Sequence, residues 1–239
     1  MAAAASAAPV IDASQFDLPK VLADGETVDT KTTLVLVADD TKKRFPVSRM
    51  GMLRYSGLAR TLLESDSGDA TPDFVLTNPH CTEAALKCFI VWINKHAAST
   101  MEVSKMAVPL PMGPLKRLFT AWDLKYIETL LVPGGDMHNT DMLYTVAGMC
   151  TFVDVKVLEA ICCSYLAWKI RKTVEDAKAE GAPTATATVR SWFGLTGDFT
   201  EDELKAHKAQ FDYIEKVDWD EKAREQKAAY ALIEKDPLA

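Results

Sequence analysis

A chain of 239 residues, 48% apolar and 26% charged, can hold one domain or two small ones and lies far from the disordered regime. Its formal charge of −7 argues against a nucleic-acid binder, which would carry a basic face, and no apolar run reaches the ~18 residues that a membrane helix needs. Five cysteines (Cys81, Cys88, Cys150, Cys162 and Cys163), an odd number without a secretory signal, point to a reducing compartment, cytoplasm or nucleus.

Residues 1–31 mix Ala, Ser, Asp and Gly without sustained periodicity, and the expectation is a mobile extension. Its first nine residues are Ala-rich but too short and uncharged for a signal peptide. Thr33, Leu34, Val35, Leu36 and Val37 form a β-branched run that predicts a strand. A turn at 39–43 leads to a short second strand at 44–47, with Pro46 near its end. Apolar residues at Met52, Leu53, Leu58, Leu62 and Leu63 predict one helix over 49–64, weakened by Gly51 and Gly57. A polar loop at 65–71 precedes a third short strand at 74–76. Asn78 and Pro79 have the favoured order for opening the next helix, cap then proline, and Leu86, Phe89, Ile90 and Ile93 give that helix its buried stripe.

Residues 98–119 contain Pro109, Pro111 and Pro114 and cannot form a regular helix. A helix is expected over 121–132, ended by Pro133, Gly134 and Gly135. The second half reads as helical. Residues 140–150 place Leu143, Ala147 and Cys150 along one side, and 156–179 carry Leu158, Ile161, Cys162, Tyr165, Leu166 and Lys169 at helical spacing. The basic cluster Lys169 to Lys172 is expected as a solvated turn near a helix end rather than a phosphate site. Residues 180–188, with Gly181, Pro183 and alternating Ala and Thr, read as a linker, followed by a short helix closed at Gly194.

The next stretch is a hard corner. Thr200 and Glu203 have the spacing of a capping box, Phe199 and Leu204 occupy the two positions of a hydrophobic staple, and Gly194 and Gly197 permit the reversal. The helix after it puts Leu204, His207, Phe211 and Ile214 on one face. Residues 218–239 extend the chain with mixed charge and Trp219, Tyr230, Leu232 and Ile233.

Four pieces of this chain, in order, resemble the Skp-family adaptors that join F-box proteins to cullin in SCF ubiquitin ligases. They are Trp122-Asp123-Leu124-Lys125-Tyr126-Ile127, then Phe152-Val153-Asp154-Val155-Lys156-Val157-Leu158, then Val189-Arg190-Ser191-Trp192-Phe193-Gly194-Leu195, then Asp198-Phe199-Thr200-Glu201-Asp202-Glu203. The similarity covers roughly residues 34–211. It implies an α+β fold: a BTB/POZ-like α/β unit at 32–132, with a variable insertion at 98–119, followed by a helical Skp dimerisation and F-box-binding region at 139–217. The insertion, acidic in most of the family, is not acidic here. The positions that match the family's F-box contacts are Leu143, Ala147, Leu158, Cys163, Leu166, Ile170, Val189, Phe193, Leu195 and Phe211. The family's Asn-Tyr pair that contacts cullin corresponds to Thr151 and Phe152, so the aromatic is kept and the amide is not. The resemblance implies a non-catalytic adaptor without cofactor or metal, acting in cytoplasm and nucleus, with F-box proteins and cullin as partners. It leaves open a weak homodimer of the free protein.

Catalysis finds little support in the residues. None of His80, His96, His138 and His207 sits beside a Ser or Cys in a nucleophile motif. Gly134-Gly135 lacks the Gly-Lys-Thr of a phosphate loop and reads as a turn. His80, Cys81, Cys88 and His96 do not have the spacing of common zinc sets. Cys162-Cys163 reads as one core and one interface residue. Tyr144, Trp168, Ile170, Trp192 and Phe193 add apolar surface beyond a single stripe, which favours a partner interface. A second reading keeps the fold as a structural subunit pairing with F-box-like proteins in a kinetochore or trafficking assembly. A third, an enzyme with a reactive cysteine, has the least support.

Overall fold

In the computed structural model the described residues are 15–65, 73–97, 103–106, 110, 113–179, 185–195, 200–202, 205, 221 and 224. The fold they form is α+β and mostly helical, around a small sheet. Thr33–Val37 (β1) is buried from Leu34 onward on both faces, as expected of a central strand. It pairs antiparallel with Arg44–Ser48 (β2), with Leu34 opposite Val47 and Leu36 opposite Phe45. It also pairs in parallel with Phe74–Val75 (β3), giving the order β2-β1-β3. Phe45 and Val47 of β2 face inward and Arg44, Pro46 and Ser48 are half-buried; an edge strand tolerates the missing N–H of Pro46. The hairpin turn is closed by Lys42 in the left-handed region, φ 55°.

Between β2 and β3 the chain crosses over through two helices, Arg49–Tyr55 (α1) and Gly57–Ser65 (α2). The single helix expected over 49–64 is thus broken at Ser56. Ser56 ends α1 through its N–H on the Met52 carbonyl at 2.8 Å. Its Oγ accepts from Ala59 N at 3.1 Å and donates to the Val153 carbonyl at 2.6 Å. Gly57 N–H donates to the Asp154 carbonyl at 3.0 Å. A Cβ at Gly57 would lie 1.9 Å from Asp154 Oδ2, so the break is where a distant turn docks.

Glu83–His96 (α3) opens at Thr82, whose Oγ1 accepts from Ala85 N at 3.3 Å, and not at Asn78 and Pro79 as expected. Asn78 instead closes a turn, accepting from His80 N on its side chain at 2.9 Å and from Cys81 N on its carbonyl at 2.8 Å. Leu86, Phe89, Ile90 and Ile93 are fully buried, as their spacing predicts. Leu115–Leu118 (α4) is one turn inside the proline-rich insertion. Ala121–Tyr126 (α5) then begins at the cap Thr120. The helix expected to run on to 132 changes pitch at Ile127–Leu131, a π turn, and Pro133–Gly135 form a 3₁₀ turn with Gly134 and Gly135 at φ 68° and 70°.

Asp141–Phe152 (α6) and Lys156–Ala179 (α7) pack together as a helical hairpin. The turn between them places Asp154 at φ 54°. The Val155 N–H donates to the Cys150 carbonyl at 2.8 Å, the six-to-one bond of a Schellman ending. Ala185–Trp192 (α8) packs against α7, so Ala185 to Thr188 belong to a helix and not to the expected linker. Gly194, at φ 64°, ends α8 with Leu195 N on the Arg190 carbonyl at 3.0 Å, as the sequence predicts.

One core joins all of this. Leu36, Trp92, Leu131, Val132, Met137, Leu143 and Tyr165 belong to a single buried cluster, which therefore runs without a break across the boundary expected between 132 and 139. Phe16 belongs to it too. Within the extension expected over 1–31, Phe16 is thus packed on the core while Asp17 and Leu18 beside it are exposed; residues 1–14 lie outside the described set.

Candidate functional site

Most of the contact residues singled out from the sequence lie on α6, α7 and α8 or just past the end of α8. The first half of α7 faces inward through Val157, Leu158, Ile161, Cys162 and Tyr165, whereas no residue from Leu166 onward is fully buried. A helix that leaves its core halfway along needs something to lie against. Part of that cover is α8, and beyond its end the Phe193 ring meets Tyr144 of α6 at 5.9 Å between centroids. Along these elements Leu166, Ile170 and Val189 are half-buried, Cys163 is exposed, and Phe193 and Leu195 are 40% and 50% exposed. Trp192 is half-buried and packs on the core, as does Ala147.

Leu143 and Leu158 are placed differently. They are 1% and 0% exposed, sealed between helices, and offer no surface to a partner. In the free chain their part is to seat α6 and α7, whereas the resemblance implies a contact role for them. Phe211, like Phe199, Glu203 and Leu204 of the expected corner, lies outside the described residues; Thr200 is within them and exposed. Of the aromatic set, Trp168 is committed elsewhere, its Nε1–H donating to the Gly113 carbonyl at 2.7 Å. Lys169, from the basic cluster, donates to the Gly135 carbonyl at 3.2 Å, so it ties α7 to the 3₁₀ turn mid-helix rather than solvating a helix end.

Thr151 and Phe152 stand together at the C-terminal end of α6, both exposed, Phe152 at 39%. Thr151 Oγ1 lies 2.9 Å from Glu159 Oε1 and 3.2 Å from the Ala147 carbonyl. Its one proton is thus satisfied inside the chain. The same turn carries the Asp154 contact to Gly57, so this corner is rigidly joined to α1 and α2.

Chemistry elsewhere is subdued. Burial pushes Cys81 up to about 11 and Cys88 up to about 12 and drives Cys150 and Cys162 well above the ordinary range, and partial desolvation raises even the Cys163 thiol. Thiols held protonated are poor nucleophiles. Cys162 is buried and Cys163 exposed, the division between core and surface that the vicinal pair suggests. Among the described residues no group of three or more His, Cys, Asp or Glu is placed to hold a metal ion. His80 lies over Gly148 of α6 and His96 is bonded to Asp123.

Asp123 is the polar centre that spacing alone does not reveal. It is fully buried and accepts five hydrogen bonds. Trp92 Nε1 and His96 Nε2, in its Nε2–H tautomer, each donate to Oδ1 at 3.0 Å. Ser104 N and Oγ donate to Oδ2 at 2.9 and 2.6 Å, and Thr120 Oγ1 at 2.9 Å. Burial pushes this carboxyl up, but the bonds from His96 and Ser104 outweigh it and hold the group below its ordinary value. All the donors are inside the fold, so the cluster fixes α3, the 103–106 segment and α5 to one another. Among the described residues, no helix is long and apolar enough to cross a membrane. No family model and no curated protein matches the chain.

Proposed function

We propose that the chain is a non-catalytic adaptor of the Skp type: a BTB/POZ-like α/β unit whose helical end binds the F-box segment of a substrate receptor and presents it to a cullin in cytoplasm and nucleus. The observation that carries the reading is the exposed apolar surface just past the end of α8, where the Phe193 ring meets Tyr144 of α6. Phe193 and Leu195 are exposed there, and the thiols of Cys162 and Cys163 on α7 are held protonated. Further support comes from the order of the four resembling segments and from the sheet with its crossover helices, which is compatible with a BTB-like unit.

One observation favours a second reading for the cullin half. Thr151 stands where the family carries an amide, and its hydroxyl is already engaged with Glu159 and Ala147. A buried interface that lacks one hydrogen-bonding partner is weakened by ~1–3 kcal/mol. The chain can therefore keep F-box partners while its cullin contact is weak, as in a structural subunit outside a ligase. Co-purification scored separately for F-box proteins and cullin distinguishes the two. In titrations against the cognate cullin, Thr151→Asn is expected to bind about fivefold or more tighter than wild type. An unchanged or lower affinity would remove Thr151 from the account.

A further inference from the structure

Residues 15–32 have the build of a peptide held by its own receptor. Only Phe16 among them is buried, at 8% exposed. Its ring stands edge-on to Trp122 at 5.8 Å and to Tyr126 at 6.3 Å, and those two rings stack on each other at 5.4 Å. Lys125 Nζ lies 5.9 Å from the Phe16 centroid and Lys95 Nζ 5.8 Å from that of Trp122. The cleft is thus an aromatic slot rimmed by cations, and the residue that follows the plug is the acidic Asp17.

The rest of the segment is lightly tied. Leu22 N–H donates to the Arg44 carbonyl at 2.9 Å. The Arg44 guanidinium donates to the carbonyls of Ala23 at 3.3 Å and Glu26 at 2.9 Å. Leu18 and Val21 are 41% and 44% exposed, so no second plug accompanies Phe16. Segments with few buried contacts open at a small fraction of the global unfolding cost.

We propose that residues 15–26 are a displaceable strap: Phe16 is a tethered ligand for the aromatic cleft on α5, and the strap lifts as a unit while the rest of the fold stays closed. The occupant of the cleft is the chain's own Phe16, and a competing peptide must bring an aromatic ring of its own to the slot. Residues 17–32 tether the plug to β1, and a flexible tether of this length gives an effective concentration on the order of 1 mM. For the strap to be closed nine-tenths of the time, the untethered segment must bind with a Kd of about 0.1 mM or tighter. Opening would reach the Asp123 cluster through one ring, because Trp122 also stands edge-on to His96 at 5.1 Å.

Two measurements test this. In hydrogen exchange on the unmodified protein, the Leu22 amide should exchange at least a hundredfold faster than the hydrogen-bonded amides of β1. Exchange of both in one step would make the strap part of the global fold and overturn the proposal. In the second, a labelled synthetic peptide of residues 15–27 is titrated into full-length Phe16→Ala protein. It should bind at about 0.1 mM or tighter, at least tenfold more weakly to wild type, whose cleft is filled, and at least tenfold more weakly when its own Phe is replaced by Ala. Equal binding to both proteins, or none to the variant, would show that Phe16 is not a displaceable ligand.

Discussion

Asp123 binds five donors drawn from Trp92, His96, Ser104 and Thr120, and removing their acceptor would leave all of them without it in a dry interior. Breaking such a buried charged network by deleting one side typically costs ~3–5 kcal/mol, the destabilisation expected for Asp123→Ala in denaturant unfolding. The pH dependence follows from the lowered carboxyl. A group whose folded pKa lies below its unfolded value of about 3.9 contributes its full stability above that value and loses it as pH falls through the folded pKa. Wild-type stability should therefore fall below about pH 4, and Asp123→Asn should be less stable at neutral pH but show a shallower acid loss. Equal acid slopes would contradict the assignment. The sequence exposed Trp122-Asp123 only as part of a resemblance. Its donors come from a helix, a loop inside the insertion and a cap, and no spacing rule links positions that far apart.

Elements meet most tightly where Ser56 and Gly57 receive the turn between α6 and α7. A methyl at Gly57 would lie 1.9 Å from Asp154 Oδ2 and 2.8 Å from its Cγ. Gly57→Ala should therefore cost ~1–3 kcal/mol by overpacking. The loss should shrink in an Asp154→Gly background, because the clash is with that side chain; an undiminished cost in the double variant would locate the strain elsewhere. This joint also explains an error of reading. Apolar periodicity over 49–64 is continuous and Gly57 signals only a weakening, whereas the break itself is imposed by residues almost a hundred positions away. The opposite holds for β1, the α3 stripe, the full span of α7 and the Gly194 ending, which were legible because each depends on its own neighbours. Asn78-Pro79 misled for a simple reason: a cap-like pair can serve a turn when Thr82 follows with a better cap. Phe16 was missed because one aromatic in a polar stretch has no period.

At the scale of the molecule, a single core runs from the sheet through α3 into α6 and the first half of α7. The helical end is therefore a continuation of the α/β unit and not an appendage, and the α6–α7 turn is held against α1 and α2. Of the contact positions suggested by the resemblance, Phe193 and Leu195 are exposed while Leu143 and Leu158 are interior. That difference was illegible because helical spacing tells which residues share a stripe, not which stripe is covered.

On the proposed function, the open surface around Phe193 binds an F-box segment. Phe193 is 40% exposed, so its truncation spares the core, and loss of an interface aromatic anchor commonly costs ~2 kcal/mol or more. Calorimetric titration of the full-length protein with a purified F-box domain tests this directly, comparing wild type with Phe193→Ala after circular dichroism has verified equal folding. The account predicts binding by wild type and a loss of roughly thirty-fold in the variant. No binding by wild type, or equal affinity in the folded variant, would contradict it.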